Sequence, residues 1–522
     1  MFSIRKKKKQ DIMSFPKVKV EFNTKIKKIK QETDRTKINV RYALISPFCY
    51  AHIHWDPEIY EVVYDIEEPV LNKTEEMYKN QLTEAMRDLI NFENVIKSDQ
   101  RTLLDYIDKR FRILATELGI NLNYESFRKI YYYLVRDFIG FNEVDPLLRD
   151  YFIEDIECNG IKAPVFIVHR IFRNLRTNLI YKNMKNLTNF VEKLAQRCGK
   201  YISYSNPILD GSLPDGSRVN ATYTKDITSR GPTFTIRKFT KTPWTPTQLL
   251  SFGTMSPEML AYLWLLIEHK MSILITGGTS SGKTTLLNAI AFFISPEARV
   301  VSIEDTREIN LPRDNWLPSV VRTATGIEKM GEVDLFDLLK SSFRQNPDYV
   351  IVGEVRGKEA YVLFQGMASG HSSISTLHAD SVDTVIKRLE TPPINLSPTL
   401  LNTLDVVCIM THAIVNKKET RKLKEIVELI NVTSEGTALT NTPYIWNPED
   451  NKFYFKKNSK ILEKIAERYG KELSELNLEF QRRTELIFKM MQKRIFGFKE
   501  VQEIINRYYK QKEKVLKEFG IR

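Results

Sequence analysis

Cysteine is scarce in this sequence. The chain has four cysteines in 522 residues, and no two of them are close enough to form a CxxC pair. This spacing argues against a disulfide scaffold and against a zinc site built from cysteine thiolates. A reducing, cytosolic compartment therefore fits the cysteine content best.

Long apolar runs are also missing. The longest runs, such as Ala261–Ile267 and Ala289–Ile294, are much shorter than the ~20 residues with which a helix spans a bilayer. The amino terminus is basic at Arg5–Lys9, but no apolar stretch follows it, so we expect no secretory signal peptide. We expect the chain to stay on the side of the membrane where it is made.

The composition is that of a large globular protein. Hydrophobic residues make up 42% of the chain and charged residues 27%, which excludes a collagen-like, low-complexity or wholly disordered protein. The net charge is +13, and residues 1–30 alone hold eleven Lys and Arg against two acidic residues, a net +9. Such a tail either suits an anionic surface, lipid or nucleic acid, or is a solvated leader without a partner.

The order of local patterns predicts five segments. We expect a basic disordered tail, an N-terminal α+β domain, a linker rich in Pro and Thr, an α/β domain and a C-terminal helical subdomain, at residues 1–37, 38–240, 241–250, 251–454 and 455–522 respectively. In the fourth segment a strand, a glycine loop and a helix are followed by more strands. That order is typical of a mostly parallel sheet.

The glycine loop is the strongest local signal. The run GGTSSGKT fits G-x-x-x-x-G-K-[ST] at every fixed position, between an apolar strand candidate and a helix candidate. Glycines let several backbone N–H groups converge on a phosphate, and the helix amino terminus favours an anion. Lys283 is expected to reach the β- and γ-phosphates, and the Thr284 hydroxyl to bind Mg²⁺. The predicted nucleotide-binding residues are Gly277, Gly278, Thr279, Ser280, Ser281, Gly282, Lys283, Thr284 and Thr285.

Two acidic segments follow predicted strands further along the chain. Glu304, Asp305 and Glu308 come after one apolar strand candidate, and Glu354 comes after the next. Acids at the carboxyl ends of parallel strands point into the crevice where such sheets bind ligands. These four residues are the catalytic candidates, as base or water-orienting groups, with Glu354 also assisting the Mg²⁺ shell. The sequence does not separate these roles.

Histidine is rare, but two of the seven histidines stand close together. His371 and His378 flank a short run of hydroxyl-bearing residues, after both acidic segments. This pattern predicts a polar site in which a neutral imidazole donates to the γ-phosphate and senses its loss. The alternative is that the two residues only pack against their surroundings. A metal site is a weaker interpretation, because no thiolates are nearby.

Together and in this order, these elements resemble the type II/type IV secretion ATPase family, which includes motors of pilus assembly, type II secretion and the archaeal flagellum. The phosphate loop, acidic box, acidic strand and histidine box read GGTSSGKTT, IEDTREI, LLKSSFRQNPDYVIVGEVRG and GHSSISTLHAD, at residues 277–285, 303–309, 338–357 and 370–380. The segments RDFIGFNEVDPLLRDYFIEDIECNG, NPILDGSLPDGSRVNAT and SRGPTFTIRKF extend the resemblance towards the N-terminus. The chain lacks the four-cysteine zinc insert of many bacterial assembly motors, which favours the archaeal branch.

The resemblance implies a fold, cofactors and further site residues. The implied fold class is α/β, with a RecA-like P-loop domain preceded by a mixed α+β domain and followed by helices. The implied assembly is a homo-hexamer that binds ATP and Mg²⁺ between its two domains, where N-terminal arginines approach the phosphates. A guanidinium suits this role because its planar fork engages phosphate and stays charged, although surface salt bridging is the ordinary fate of an arginine. The matching positions are Arg218, Arg230 and Arg237, with Arg344 a further candidate.

We therefore expect an ATP-hydrolysing motor that assembles a type IV pilus-like filament, an archaellum or a secretion apparatus. Its expected partners are a polytopic membrane platform protein and the anionic inner face of the cell membrane, to which it binds peripherally from the cytoplasm. A nucleic-acid translocase is an alternative, but only +4 remains outside the tail and no helicase motif series is present, so no nucleic-acid partner is expected. A rarely hydrolysing nucleotide-dependent scaffold is a second alternative, against which the intact Lys283, Glu304 and Glu354 argue.

Overall fold

The chain folds into two compact units, Met1–Phe239 and Thr240–Arg522. The computed structural model describes residues 15–22, 29, 32, 34–87, 100–239, 242–322, 331–415, 418–433 and 436–522. The basic run Arg5–Lys9, on which the prediction of a charged tail rests, lies outside the described residues. Among the residues described, none of the helices is long and apolar enough to cross a membrane.

The first unit is built on a nine-stranded sheet. Its strands are β1 Asn39–Ile45, β2 Cys49–Asp56, β3 Glu61–Glu67, β4 Ile153–Cys158, β5 Pro164–His169, β6 Arg173–Ile180, β7 Ile208–Ser212, β8 Arg218–Thr222 and β9 Thr233–Arg237. They lie in the order β1-β2-β3-β6-β5-β4-β9-β8-β7. β3 and β6 pair in parallel, and the other described neighbours run antiparallel.

The first unit also contains helices. They are α1 Lys73–Arg87, α2 Gln100–Glu117, α3 Tyr124–Phe138, α4 Asp145–Arg149 and α5 Met184–Arg197. Along β8 and β9 exposed and buried side chains alternate, as a half-covered antiparallel sheet requires. α1, α2 and α3 form a separate apolar cluster in which the rings of Phe111 and Phe127 stack at 4.6 Å.

A segment of the predicted tail packs onto this unit. Phe15 contacts the ring of Phe127 at a centroid distance of 5.2 Å, and Arg112 donates to the Phe15 carbonyl at 2.8 Å. Lys17 pairs with Asp105 at 2.8 Å. The prediction that residues 1–37 form a disordered tail is therefore wrong for residues 15–22.

The second unit holds a second nine-stranded sheet. Its strands are β10 Ile273–Gly277, β11 Val300–Glu304, β12 Trp316–Val320, β13 Tyr349–Val352, β14 Ser372–Leu377, β15 Val406–Val415, β16 Lys418–Val432, β17 Ala438–Asn447 and β18 Lys452–Phe455. The order is β12-β11-β13-β14-β10-β15-β16-β17-β18, parallel from β12 to β15 and antiparallel from β15 to β18. The predicted α/β fold with a parallel P-loop sheet is confirmed.

Helices flank the parallel part of this sheet on both sides. They are α6 Pro246–Ser251, α7 Pro257–Glu268, α8 Lys283–Ile290, α9 Leu335–Ser342, α10 Glu359–Ala368, α11 Val382–Glu390, α12 Pro398–Leu401, α13 Lys460–Tyr469, α14 Leu473–Gln492 and α15 Phe498–Phe519. α6 occupies part of the predicted linker. It begins there because Thr245 and Gln248 form a reciprocal capping box and Pro246 follows the cap.

The C-terminal helices share one hydrophobic core with the parallel sheet of the unit. Trp264 of α7 stacks on Phe293 and donates to the hydroxyl of Tyr509 on α15. Arg483 of α14 is buried over the Trp264 ring at 4.8 Å and pairs with Glu268 and Glu479. The predicted C-terminal helices are therefore present, but their apolar faces close the core of the preceding part of the chain.

Candidate functional site

The predicted phosphate loop connects β10 to α8. β10 is buried along its length between β14 and β15, so the loop leaves the sheet at its centre. α8 begins at Lys283, with Gly282 as its N-cap at a φ of 96°. A Cβ on Gly277 would lie 2.4 Å from the carbonyl oxygen of Met410, so only glycine fits there. This is the strand–loop–helix context that the motif requires.

Lys283 is held inside this loop. Its side chain is 8% exposed, and its Nζ donates to the carbonyl oxygens of Gly277 at 3.0 Å and Gly278 at 2.9 Å. Burial lowers the pKa of the ammonium group, against an opposing effect of the Glu354 charge. A cation at the amino end of a helix, inside a ring of backbone groups, is suited to meet terminal phosphates.

Glu354 and His378 meet beside Lys283. His378 Nε2 lies 3.3 Å from Glu354 Oε1, and Lys283 Nζ lies 3.4 Å from His378 Nδ1. Arg356 donates to the other oxygen of Glu354 at 2.5 Å. Burial raises the pKa of the Glu354 carboxyl, but the hydrogen bond and charge of Arg356, with His378 and Lys283, outweigh it and bring the pKa below its usual value. Burial and the Lys283 charge lower the pKa of His378, so its imidazole is neutral at neutral pH.

Glu304 is a buried acid at the carboxyl end of the parallel strands, where the phosphate loop also lies. It ends β11, is 2% exposed, and accepts the backbone N–H groups of Glu308 and Ile309 on Oε1, both at 2.8 Å. Its Oε2 has no hydrogen-bond partner in the described part of the chain. Burial raises the pKa of its carboxyl to about 8, against the lowering effect of the two N–H groups. A carboxyl that titrates near neutral pH is suited to accept a proton from water.

Asp305 and Glu308 lie at the surface of the same edge. Both are exposed, on the segment that follows β11. Asn288 of α8 fixes this segment, because its amide donates to the Glu308 carbonyl at 3.2 Å and accepts from the Asn310 N–H at 2.9 Å. The charge of Glu308 acts on Lys283, and that of Asp305 acts on Arg356. All four predicted acids therefore lie at the edge of the sheet that carries the phosphate loop.

The oxygen groups at this edge fit Mg²⁺. Thr284 is the second residue of α8, and the carboxylates of Glu354 and Glu304 follow nearby strands. Mg²⁺ prefers hard oxygen ligands and is usually held by one or two carboxylates together with substrate phosphates. Among the described residues no three His, Cys, Asp or Glu side chains form a closed metal cage. The unpaired oxygen of Glu304 leaves an acceptor for a water or an ion.

His371 and Arg344 lie at the end of the parallel strands opposite to the phosphate loop. His371 precedes β14 and His378 follows it, so the whole strand separates them. The ring of His371 lies 4.9 Å from that of Phe343, whose neighbour is Arg344. The prediction that both histidines share one polar site is wrong, because β14 is extended and the two histidines lie at its opposite ends.

Two of the three predicted N-terminal arginines stand side by side. Arg218 of β8 and Arg237 of β9 are direct cross-strand partners on the open face of the first sheet. Asp210 pairs with Arg218 and Asp155 with Arg237, both at 3.3 Å. Arg230 lies in the loop before β9, exposed, and its carbonyl accepts from the N–H of Ile161. The first unit thus presents two adjacent, partly exposed guanidinium groups.

One contact with the loop could not be predicted from the sequence. Arg421 of β16 donates from Nε to the carbonyl of Ser280 at 2.9 Å. Ser280 and Arg421 are far apart in the sequence, so no local spacing relates them. Asn288 was missed for a different reason, because it reads as an ordinary helix residue after the loop.

Comparison with known proteins agrees with this fold. The sequence model of the family described as "Type II/IV secretion system protein" matches residues 167–449. The uncharacterized protein MJ0900 of Methanocaldococcus jannaschii is 35% identical over 96% of this chain and 93% of its own length. The chain belongs to the type II/IV secretion system protein family.

More distant similarities are to a secretion-system protein and to an ATPase of known structure. Type IV secretion system protein PtlH of Bordetella pertussis is 34% identical over 37% of this chain and 64% of PtlH. The X-ray structure of the Legionella pneumophila ATPase DotB is similar at a TM-score of 0.39 and 16% identity, over 69% of this chain and 92% of DotB.

Proposed function

We propose that this chain is an ATP-hydrolysing motor that works as a homo-hexamer and powers assembly of a type IV pilus-like filament, an archaellum or a secretion apparatus. One observation carries the proposal: Lys283, Glu354 and His378 meet at the mouth of the phosphate loop. Membership of the secretion family supports the cellular role, and the similarity to PtlH supports a link to secretion systems.

The loop and Lys283 bind the terminal phosphates. Backbone N–H groups at the start of α8 and the Lys283 ammonium neutralise charge that grows on the γ-phosphoryl oxygens during transfer. Thr284 and Glu354 are the groups that would hold Mg²⁺. When bound there, this ion supplies charge neutralisation across the β- and γ-phosphates.

Glu304 and His378 complete the hydrolytic chemistry. Glu304 accepts a proton from the attacking water, because its carboxyl titrates near neutral pH and its Oε2 is unpaired in the described residues. The neutral His378 ring has a single N–H, which it donates either to Glu354 or to the γ-phosphate, so that loss of the phosphate returns this contact to Glu354 after β13. Asp305 and Glu308 add negative charge at this surface, where the charge of Glu308 opposes the lowering of the Lys283 pKa by burial and the charge of Asp305 acts on Arg356.

The arginine pair supports a ring that closes around nucleotide. Arg218 and Arg237 stand in exposed ion pairs, which contribute little to stability, so both are available to a stronger anion. We propose that they contact the phosphates when the subunits close, and that Arg230 assists from its loop. Phosphate release would then open the ring. This cycle of closing and opening is the proposed source of the motor's force. A membrane platform protein and the anionic inner face of the membrane are the proposed partners.

Steady-state ATP hydrolysis tests the proposal. The purified chain is assayed with Mg²⁺, alone, with vesicles containing anionic phospholipid, and with DNA. We expect slow turnover that anionic vesicles raise and DNA leaves unchanged. Lys283→Ala is expected to abolish turnover, and Lys340→Ala, at an exposed lysine of α9, is the matched control and should behave as the wild type.

Three results would contradict the proposal. Turnover that survives in Lys283→Ala would mean that the phosphate loop is not the hydrolytic site. Stimulation by DNA but not by anionic vesicles would replace the secretion motor with a nucleic-acid translocase. Binding of ATP without turnover under every condition would favour a nucleotide-dependent scaffold.

A further inference from the structure

The phosphate loop is supported from outside by two antiparallel strands. Met410 of β15 sits against Gly277, and Arg421 of β16 lies against Ser280 and Gly282. The Nε–H of Arg421 donates to the Ser280 carbonyl at 2.9 Å. A Cβ on Gly282 would lie 3.2 Å from Arg421 Cδ, so the arginine side chain packs directly on the loop backbone.

The backbone of the loop has a demanding conformation. Ser280 has a φ of 57°, in the left-handed region that residues other than glycine rarely adopt. Gly277 and Gly282 on either side also have positive φ values. The Gly277 and Gly278 carbonyls accept from Lys283 Nζ inside the loop, whereas a Ser280 carbonyl turned inward would repel a phosphate. The Ser280 carbonyl therefore needs a partner on the outer side of the loop.

We propose that Arg421 is a positioning residue for the nucleotide: by holding the Ser280 carbonyl outward, it presents the loop N–H groups to the terminal phosphates of a nucleoside triphosphate. This inference rests on the proposed function, because it assumes that the loop binds such a ligand. Arg421 acts through the loop and need not touch the reacting atoms.

The chemistry of arginine suits this position. A charged donor makes a stronger hydrogen bond to a carbonyl than a neutral one. The guanidinium also stays ionised and adds positive charge behind the loop, where the ligand is anionic. On the neighbouring strand, His412 is the cross-strand partner of Arg421 and pairs with Glu419 at 3.6 Å, so the hairpin is also braced.

Three variants of the full chain test the assignment. Arg421→Leu removes the donor and the charge, Arg421→Lys keeps the charge and one donor, and Lys424→Ala changes an exposed residue of the same strand. We expect Arg421→Leu to raise the KM for ATP about tenfold with kcat nearly unchanged, which is the loss expected for one charge-assisted hydrogen bond. Arg421→Lys should recover at least half of the loss on a logarithmic scale, and Lys424→Ala should match the wild type.

A second measurement does not depend on hydrolysis. Hydrogen exchange of the loop amides at residues 277–284, without nucleotide, should be faster in Arg421→Leu than in the wild type and unchanged in Lys424→Ala. A loop with wild-type exchange in Arg421→Leu would overturn the inference. So would a fall in kcat at unchanged KM, because that pattern means that ATP binding is intact and that the loss lies in the transition state or in the active fraction. If the wild-type chain itself neither binds nor hydrolyses ATP, the proposed function fails, and the exchange result still decides whether Arg421 holds the loop.

Discussion

His378 and Glu354 meet at the ends of two paired strands: Nε2 of the histidine lies 3.3 Å from Oε1 of the glutamate. β13 and β14 run parallel and in register, so the residues that follow them reach the same edge of the sheet. The same imidazole lies 3.4 Å from Lys283 Nζ. His378 therefore stands between the Lys283 ammonium and the Glu354 carboxylate, and it can respond to a change at either.

Removing the Glu354 charge should slow hydrolysis and leave binding almost intact. We expect Glu354→Gln to lower kcat by on the order of 10²–10³, with the KM for ATP within about threefold of the wild type, because its contribution is made in the transition state. Steady-state kinetics and binding of a fluorescent ATP analogue measure the two quantities. Glu467→Gln, at an exposed residue of α13, is the control. Equal losses of binding and rate would contradict the assignment.

Glu304 predicts opposite pH dependences of stability and activity. Its pKa in the folded chain, about 8, is above that of an ordinary carboxyl, so the folded state holds a proton that the unfolded state has released. This group therefore stabilises the fold at low pH, and the stabilisation is lost as the pH rises from the usual carboxyl range through about 8. Hydrolysis should rise over the upper part of the same range, because the base must be ionised.

Thermal unfolding from about pH 5 to about pH 9 separates this group from the others that titrate in the chain. Glu304→Gln is neutral throughout, and we expect its Tm to fall less over this range than that of the wild type, by a few degrees. Its turnover should be lost at every pH. Parallel Tm curves for the two proteins would show that the Glu304 carboxyl is not the buried titrating group described here.

The arginine pair predicts a loss of rate without a loss of fold. Arg218→Ala and Arg237→Ala should each lower kcat by about tenfold or more, as expected when one charged phosphate contact is removed from the transition state. Tm should change little, since exposed ion pairs contribute at most about 1 kcal/mol. Arg41→Ala breaks a comparable exposed ion pair with Glu67 on the same sheet and is the control. Wild-type kcat in both arginine variants would remove these residues from the site.

We predict that removing the Glu428 carboxylate lowers the stability of the second unit. Its buried carboxylate on β16 accepts from the Tyr262 hydroxyl at 2.6 Å, the Asn441 amide at 2.7 Å and the Lys460 N–H at the start of α13 at 2.8 Å. Glu428→Ala leaves these donors unpaired, and we expect it to lower the free energy of unfolding by about 3 kcal/mol. Urea unfolding measures the loss, and Glu425→Ala on the same strand is the control. A difference below about 0.5 kcal/mol between the two variants would contradict the prediction.

Local spacing was enough to predict the phosphate loop and the sheet edge. The backbone requires glycine at positions 277 and 282. A Cβ on Gly277 would clash with a carbonyl oxygen, and Gly282 has a positive φ. Glu304 and Glu354 could be grouped because parallel strands end at a common edge. The fold class followed from the same order of strand, loop and helix.

Three features needed the three-dimensional structure. His371 and His378 are close in sequence, but the strand between them is extended, so proximity along the chain was misleading. Arg421 contacts the loop from a strand that is distant from it in the sequence. A single arginine is not part of a recognisable motif, so the contact could not be predicted. In the N-terminal segment the many lysines suggested a disordered tail. Val18, Val20 and Phe22 alternate with polar residues there, and they pack against the apolar clusters of the first unit.

The shared core of the second unit limits how this protein can be divided. α7 is apolar on all sides, and α14 and α15 provide the surface that covers it. A chain ending before residue 455 would expose Trp264 and its neighbours to water, and we expect such a fragment to aggregate. The C-terminal helices and the parallel sheet are therefore one folding unit, and a functional fragment of this part of the chain has to include both.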